Sequence, residues 1–290
     1  MRTALLIALL SLPAGFAVGQ VVDDADVVNF DEYYKREELK GRRSPTLPYV
    51  REDNVIWETA IWRTVDFRER FNQFFFYPME KEGYRGRKNI AYMLWDAIVA
   101  DEMPIFEDSE LKIPIDNQTF VYRFTKADTT YLDIIDENED YHYEAVIIPR
   151  EFTTDDIYML KLKEIWYIDK QDSRQKVQII CFALTKSMFR EDQMGEREFM
   201  GYVDLFWVPM LSQQVRNMLS SHETYQEGSI AHAPTWDQIF DTRMFDSYVT
   251  KESNRYDREI SDYVTGTDAI VEAQRIENKL FELESDMWEY

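Results

Sequence analysis

Apolar side chains recur every three or four residues along several stretches of the chain, which is the period of a helix buried on one side. The first stretch runs from Asn54 to Tyr77 and predicts a helix that ends there, because Pro78 disfavours helical geometry at the residue before it. The other stretches are residues 87–101, 211–223, 235–251 and 267–288. Thr235 is a candidate N-cap for the fourth of these five predicted helices.

The first predicted helix combines charged and aromatic residues. One side of it carries residues at three- and four-residue spacings, namely Trp57, Ile61, Val65, Arg68 and Phe71. Asp66 precedes Arg70 by one helical turn, which predicts a favourable ion pair with the acid nearer the N-terminus. Three phenylalanines and a tyrosine, Phe74, Phe75, Phe76 and Tyr77, cannot share one helical face, because successive residues turn by about 100°. We expect them to be enclosed on several sides, by the domain or by a neighbouring subunit.

Three other stretches predict strands. The runs "LKLKEIWYID" and "KVQIICFALT" flank the polar turn "KQDSRQ" and predict a β-hairpin, and "GYVDLFWVP" predicts a third strand. The fold class is therefore α+β: a single globular domain, residues 51–290, with about five helices around a small, mainly antiparallel sheet. An extended N-terminal arm precedes this domain.

The last predicted helix, residues 267–288, has a regular apolar seam. Its apolar positions follow a 4-3-4-3-4 spacing: Ala269, Ala273, Ile276, Leu280, Leu283 and Met287. The seam spans too few heptads to predict a free-standing coiled coil. We expect the helix to pack on its own domain, with a subunit contact as the alternative.

The first residues have the composition of a secretory signal peptide. "MRTALLIALLSLPAGFAVGQ" has an early cation, a short apolar run and small residues before a predicted cut between Gly19 and Gln20. A lipoprotein signal would place a cysteine directly after the cut, and Gln20 stands there instead. The sequence predicts an exported, soluble protein that is not itself inserted in the membrane. Residues 20–50 contain Pro45 and Pro48 and lack sustained periodicity, which predicts an extended arm that is disordered alone.

The chain is strongly acidic, with 33 Lys and Arg against 55 Asp and Glu and a formal net charge of -22. Nucleic-acid binding requires cations grouped on one face, so this class of function is excluded. The acids are densest between Lys126 and Arg150, where seven acids occur with no Lys or Arg. A solvated loop is the prediction for Asp133 to Asp140, since the stretch lacks the register and the turn glycine of an EF-hand.

Candidate catalytic chemistry is sparse. The only cysteine, Cys181, falls inside a predicted buried strand, and His142, His222 and His232 belong to no nucleophile or zinc motif. We therefore predict no catalytic residue, no metal and no cofactor. The abundant aromatic residues leave one alternative open, a periplasmic or secreted carbohydrate-binding protein or glycosidase with an aromatic-lined cleft.

Five blocks in fixed order resemble the GldN/PorN family of gliding-motility and type IX secretion proteins. They are "WRTVDFRERFNQFFFYP", "NIAYMLWDAIVADEMPIFED", "LKEIWYIDKQDSRQKVQIICFAL", "DLFWVPMLSQQVRNMLSSHETY" and "TWDQIFDTRMFDSYVTKESN". The resemblance covers about Val55 to Asn254. It implies a periplasmic, structural subunit that forms a ring with an outer-membrane lipoprotein, GldK- or PorK-like, and contacts a motor protein, GldM- or PorM-like. It implies no enzymatic site.

A docked protein of this kind needs surfaces for its neighbours. We expect the arm and the terminal helix to supply subunit or lipoprotein contacts. The candidate structural and interface residues are Trp57, Trp62, Arg63, Asp66, Arg68, Arg70, Phe74, Phe75, Phe76, Tyr77, Ile276, Leu280 and Leu283.

Overall fold

The computed structural model describes residues 42–125, 128–135, 141–148, 151–191, 197–226 and 233–286. All of them belong to one compact unit of the chain. The predicted signal peptide and most of the predicted arm lie outside these residues, as does Met287 of the predicted seam.

A seven-stranded antiparallel sheet forms the centre of the fold, in the order β3-β2-β8-β7-β6-β1-β9. A separate antiparallel hairpin is formed by β4 and β5. The strands are β1 (Val55–Asp66), β2 (Ile105–Phe106), β3 (Pro114–Ile115), β4 (Asp128–Ile135), β5 (Tyr141–Ile148), β6 (Ile157–Asp169), β7 (Arg174–Glu191), β8 (Arg197–Pro209) and β9 (Tyr248–Glu252).

Six α-helices are found among the described residues, close to the predicted number. They are α1 (Gln73–Phe76), α2 (Ile90–Val99), α3 (Asn117–Thr125), α4 (Gln213–Ser220), α5 (Trp236–Thr242) and α6 (Thr267–Asp286). A 3-10 turn, Ile260–Asp262, precedes α6. The predicted α+β class with an antiparallel sheet and a C-terminal helix is confirmed.

The first predicted helix is wrong over its first half, which is strand β1, and only the short helix α1 lies near its predicted end. Each residue from Trp57 to Asp66 pairs with a residue of β6. The predicted ion pair between Asp66 and Arg70 does not form, and Asp66 bonds Arg68 instead. The four-residue spacing of Trp57, Ile61 and Val65 fits a strand as well as a helix, since all three are an even number of residues apart.

The fourth predicted helix is too long. α5 ends at Thr242, and Arg243 then adopts the left-handed conformation with φ 54°, which stops the helix. The chain turns and continues as the edge strand β9, which pairs with β1. The start of the helix agrees with the prediction, since Thr235 caps it in a capping box with Gln238.

The remaining elements follow the predicted pattern closely. β6 and β7 form the predicted hairpin, and β8 extends the predicted third strand toward its N-terminal side. α2 and α4 fall inside their predicted ranges, and the Asn89 side chain caps α2 by accepting a hydrogen bond from the Tyr92 N–H.

The acidic middle of the chain is only partly the predicted loop. Asp133 to Ile135 belong to β4, which pairs along its length with β5, so the loop prediction is wrong for these residues. Residues 136–140 lie outside the described ranges.

The main core lies between one face of the sheet and α2, α3, α4 and α5. Its sheet side is made of alternate strand residues, including Leu160, Leu162, Phe182 and Phe206. Cys181, Ala183 and Trp207 point to the opposite face and form a smaller cluster with Trp62. A third cluster joins α6 to β1 and β9.

Candidate interaction surfaces

Arg63 of β1 holds elements of the same domain together. The side chain is buried, and its guanidinium donates to Ser247 Oγ and to the Ser247 carbonyl oxygen, both at 2.9 Å. It also forms an ion pair with Glu277 of α6. Arg63 therefore links β1, the start of β9 and the terminal helix, and its role is structural.

The two tryptophans of β1 differ in their surroundings. Trp57 is half-buried against the cluster under α6. Trp62 lies between two lysines, with Lys251 Nζ 4.4 Å and Lys163 Nζ 5.2 Å from its ring centroid, which is cation–π geometry. Lys163 also bonds the Ser109 carbonyl oxygen at 3.3 Å. Trp62 is thus mostly engaged within the domain, on the sheet face opposite the main core.

Asp66 and Arg68 form an exposed pair at the end of β1. Arg68 donates to Asp66 from its backbone N–H and from Nε, each at 2.9 Å. Burial alone would raise the pKa of the Asp66 carboxyl, but the hydrogen bonds and charge of Arg68 outweigh it and lower this pKa. Arg70 is exposed nearby. Among the predicted residues, Arg68 and Arg70 are the cations best placed to meet a partner.

The aromatic residues at 74–77 are covered by the domain to different extents. Phe75 is fully buried and stacks with Phe67 at 5.3 Å between ring centroids. Trp236 covers it from α5 at 5.4 Å. Phe74 and Phe76 are half-buried at the edge of the same core, and Tyr77 is exposed. The expected enclosure therefore holds for Phe75, which α5 of the same chain covers, and not for all four residues.

A buried ion cluster between α4 and α5 was not evident in the sequence. Arg216 donates to Asp237 Oδ1 at 3.1 Å and to Asp241 Oδ2 at 2.6 Å, and both Arg216 and Asp237 are almost fully buried. Arg216 also donates to the Pro45 carbonyl oxygen at 3.0 Å. The only sequence signal is a cation and two acids on neighbouring predicted helices, and such spacings are common in so charged a chain.

The end of the predicted arm is fixed on this cluster. Ser44 is buried, and its hydroxyl donates to Asp237 Oδ2 at 2.6 Å while its N–H donates to Asn217 Oδ1 at 3.0 Å. The Ser220 hydroxyl donates to the Arg42 carbonyl oxygen at 2.9 Å. Residues 42–45 are thus held by α4 and α5 of the same chain.

A second buried charge, which the sequence analysis also did not predict, belongs to a strand of the sheet. Glu164 of β6 is fully buried, accepts a hydrogen bond from Trp166 Nε1 at 3.0 Å and forms an ion pair with Arg243. Arg243 is the residue whose left-handed conformation ends α5. The pair therefore fixes the turn that redirects the chain from α5 toward β9.

The terminal helix packs on its own domain, as expected. Ile276 and Leu280 are buried in one cluster with Ile61 of β1 and Val249 of β9, and Leu283 is half-buried. The outer side of α6 exposes Ile270, Val271 and Phe281. A groove of about 510 Å³ lies beside α6, lined by β9, the 3-10 turn and the first half of the helix.

The ends of β7 and β8 expose a group of apolar side chains. Six residues, which we call the ridge, are 40–61% exposed: Met188, Phe189, Phe199, Met200, Tyr202 and Val203. The ring of Phe199 contacts those of Phe189 and Tyr202, with centroids 5.9 and 4.9 Å apart. Contiguous exposed apolar groups of this kind mark interaction sites.

The few groups with catalytic potential are placed for structure. Burial raises the pKa of the Cys181 thiol to about 12, so this thiol is inert near neutral pH. The His222 Nδ1 lies 2.9 Å from the Met218 carbonyl oxygen at the end of α4. Within the described ranges there is no group of three or more side chains able to hold a metal ion. None of the helices described combines the length and the hydropathy that a membrane span requires.

The architecture defines the class of protein: an α+β domain with an antiparallel sheet whose described residues leave apolar surface exposed at the ridge and in the groove beside α6, among other places. The family model of the gliding motility associated protein GldN matches residues 50–289, so the chain belongs to the GldN family. The match runs from before β1 to beyond α6 and confirms the resemblance seen in the sequence. This family is a structural component of gliding motility and is not known as a family of enzymes. No curated protein matches the chain.

Proposed function

We propose that this protein is a periplasmic structural subunit of the type IX secretion system. In this role it assembles in a ring with a GldK- or PorK-like outer-membrane lipoprotein and contacts a GldM- or PorM-like motor protein. The observation that carries the proposal is the family match, because it takes in every element of the domain from β1 to α6. The subunit supports protein export and, in organisms that glide, gliding.

The exposed surfaces support a role in assembly. The ridge and the start of α6 leave large apolar side chains such as Met200 and Ile270 in contact with water. The hydrophobic effect favours covering them with a partner. In the proposed role, the lipoprotein partner supplies the attachment to the outer membrane.

The carbohydrate-binding alternative gains no support from the described residues. A sugar-binding cleft needs several aromatic rings along its walls, whereas the lining of the groove beside α6 has one, Tyr248, and each tryptophan in the described ranges is buried or half-buried. Trp236 and Trp207, for example, belong to hydrophobic clusters of the core. The structural role is therefore the one we propose.

The arm supplies a first point of attachment in this proposal. Residues 42–45 are anchored on α4 and α5, so a segment that precedes them starts from a fixed point of the domain. A deletion that tests the arm must leave these anchoring residues in place. Removing residues 20–41 does so, whereas removing 20–50 also breaks the hydrogen bonds of Ser44.

Co-purification tests the proposal. The chain is co-expressed with the tagged lipoprotein, which is then captured from solubilised membranes. We expect the full chain to be retained and the variant lacking residues 20–41 to be retained less, with Ile56→Glu as a surface control that binds normally. Absence of the full chain from the captured material would contradict the proposed function. Retention of the deletion variant to the same extent as the full chain would contradict only the proposed role of the arm.

A further inference from the structure

The six residues of the ridge lie on a two-stranded ribbon, formed by the end of β7 and the start of β8, that extends beyond the sheet. β6 pairs with β7 only as far as Lys186, whereas β8 pairs with β7 up to Glu191. The strand segments 187–191 and 197–202 are therefore covered by no third strand among the described residues. Isolated two-stranded ribbons are marginally stable in water, and a ribbon with exposed aromatic rings gains stability when a partner covers it.

The groove beside α6 is an apolar concavity. Its lining includes the apolar residues Val249, Ile260, Val264, Ala269, Ile270 and Ala273. The volume of about 510 Å³ falls within the range of about 300–1,000 Å³ typical of pockets that enclose a ligand, so it has room for several side chains. Ile270 is 61% exposed at its side. The groove is thus an apolar concavity with no occupant from the described part of the chain.

Unpaired strand edges occur at both places. β9 is the last strand of the sheet, with β1 as its only strand neighbour among the described residues, and residues 247–250 line the groove. The ribbon also has open edges where β6 and β2 do not reach it. Open edges pair with other strands through backbone groups, which every chain carries. The ridge and the groove therefore both combine exposed apolar side chains with an open strand edge.

The local charge of the ribbon and of the groove limits which kind of protein can bind at these two surfaces. Two copies of a chain with a net charge of -22 repel each other, so they can only meet where the local charge is small. Residues 186–203 of the ribbon hold three cations and four acids and are nearly neutral. The groove lining holds two carboxylates, Glu259 and Glu277, and the second is paired with Arg63. Both surfaces meet the condition for contact between like copies, and neither has the dense charge that would select a strongly basic partner.

We propose that the ridge of one copy packs into the groove of a second copy of this chain. This names the surfaces of the self-association that the proposed function requires, and in that sense it rests on the proposed function. The two surfaces differ, so the contact is head-to-tail and leaves one ridge and one groove free at the ends of each pair. Contacts of this type add successive copies and close into a ring when the rotation between copies allows it.

Sedimentation velocity of the full mature chain over a range of concentrations tests the contact. Met200→Glu places a charge on the ridge and Ile270→Glu places one in the groove, and we expect each to weaken self-association by about tenfold or more. Ile56→Glu and Phe281→Glu are matched controls, because these residues are 65% and 71% exposed, one on a strand and one on the same helix as Ile270. The controls should associate as the native chain does, and circular dichroism checks that all four variants fold.

Mixing the two defective variants gives the sharpest result. Met200→Glu keeps an intact groove and Ile270→Glu keeps an intact ridge, so an equal mixture should form heterodimers and stop there. A mixture that remains monomeric, controls that lose association equally, or a native chain that is monomeric at every concentration would each overturn the proposed contact. In those cases, retention of the native chain by the lipoprotein would leave the proposed function standing, and absence of the native chain from the captured material would contradict the proposed function as well.

Discussion

Arg216 shows how one buried side chain can organise the region where the arm meets the domain. Its guanidinium reaches two acids of α5 and the Pro45 carbonyl oxygen from an almost fully buried position. Burial raises the pKa of the neighbouring Asp241 carboxyl, and the positive charge of Arg216 counteracts part of this effect. The cluster is therefore one interdependent unit.

Replacing Arg216 with alanine tests this unit. The change leaves the buried carboxylate of Asp237 without its cation, and breaking a buried pair in this way costs about 3–5 kcal/mol. We expect the free energy of unfolding, measured by urea denaturation, to fall by that amount. Arg255→Ala removes an exposed arginine and serves as the matched control, with an expected change within about 0.5 kcal/mol. An Arg216→Ala protein as stable as the control would contradict the role of the cluster.

Asp66 makes a small contribution to stability that depends on pH. Its pKa is lowered in the folded protein, so the ionised form stabilises the fold above the ordinary aspartate pKa of about 3.9. The contribution disappears as the pH falls through the lowered value. Because Arg68 is 60% exposed, solvent screening keeps the pair below about 1 kcal/mol.

The variant Asp66→Asn isolates this contribution. We expect its stability deficit relative to the native chain to be largest near neutral pH and to shrink as the pH is lowered toward about 2. Glu58→Gln, at an exposed position of the same strand, provides the comparison. Denaturation curves at several pH values measure the difference in free energy of unfolding between the native chain and Asp66→Asn. A difference that grows as the pH falls would contradict the stabilising role of the ionised Asp66.

At the scale of elements, β1 explains why part of the fold was predictable and part was not. Its β-branched residues Val55, Ile56, Thr59 and Thr64 are typical of a strand, but the even spacing of Trp57, Ile61 and Val65 fits both periods. Arg63 lies on the core side, where alternation alone predicts an apolar residue. The ion pair that makes its burial possible joins it to Glu277, more than two hundred residues away, and no local pattern contains that information.

Elements with a single consistent period were predicted well. In α6 the seam positions Ile276 and Leu280 are buried as their spacing requires, and the β6–β7 hairpin follows from two strand-like runs around a polar turn. β9 was missed because it is short and begins only a few residues after α5. Arg243 ends α5 in a left-handed conformation, and the sequence has no glycine there to indicate such a conformation. The ridge was also missed, since exposed apolar strand residues look like core residues in a sequence.

The packing of α6 on its own domain gives a prediction at this scale. Leu280 is 4% exposed and lies against the sheet, so Leu280→Ala should lower the free energy of unfolding by about 2–5 kcal/mol. Phe281 follows Leu280 in the sequence, lies on the outer side of the helix and is 71% exposed. Phe281→Ala should change the free energy of unfolding by no more than about 0.5 kcal/mol. Urea denaturation of the isolated chain measures both. Equal effects, or a larger effect at Phe281, would mean that the helix is stabilised by a different contact.

At the scale of the whole molecule, the strong net charge and the exposed apolar surfaces have opposite effects. The charge of -22 keeps copies apart in solution, while the ridge and the groove offer apolar surface at which a neighbour can be covered. Association then depends on the local concentration of copies. In the proposed assembly, a lipoprotein that gathers the chains at one membrane would raise this concentration and favour assembly there.

Electron microscopy of particles purified through a tag on this chain tests the proposed ring assembly directly. We expect closed rings that contain many copies of this chain together with the lipoprotein. Substitution of Met200 by glutamate should reduce the number of closed rings, whereas Ile56→Glu should leave it unchanged. Particles that contain only single copies of the chain, with neither a ring nor the lipoprotein, would contradict the account.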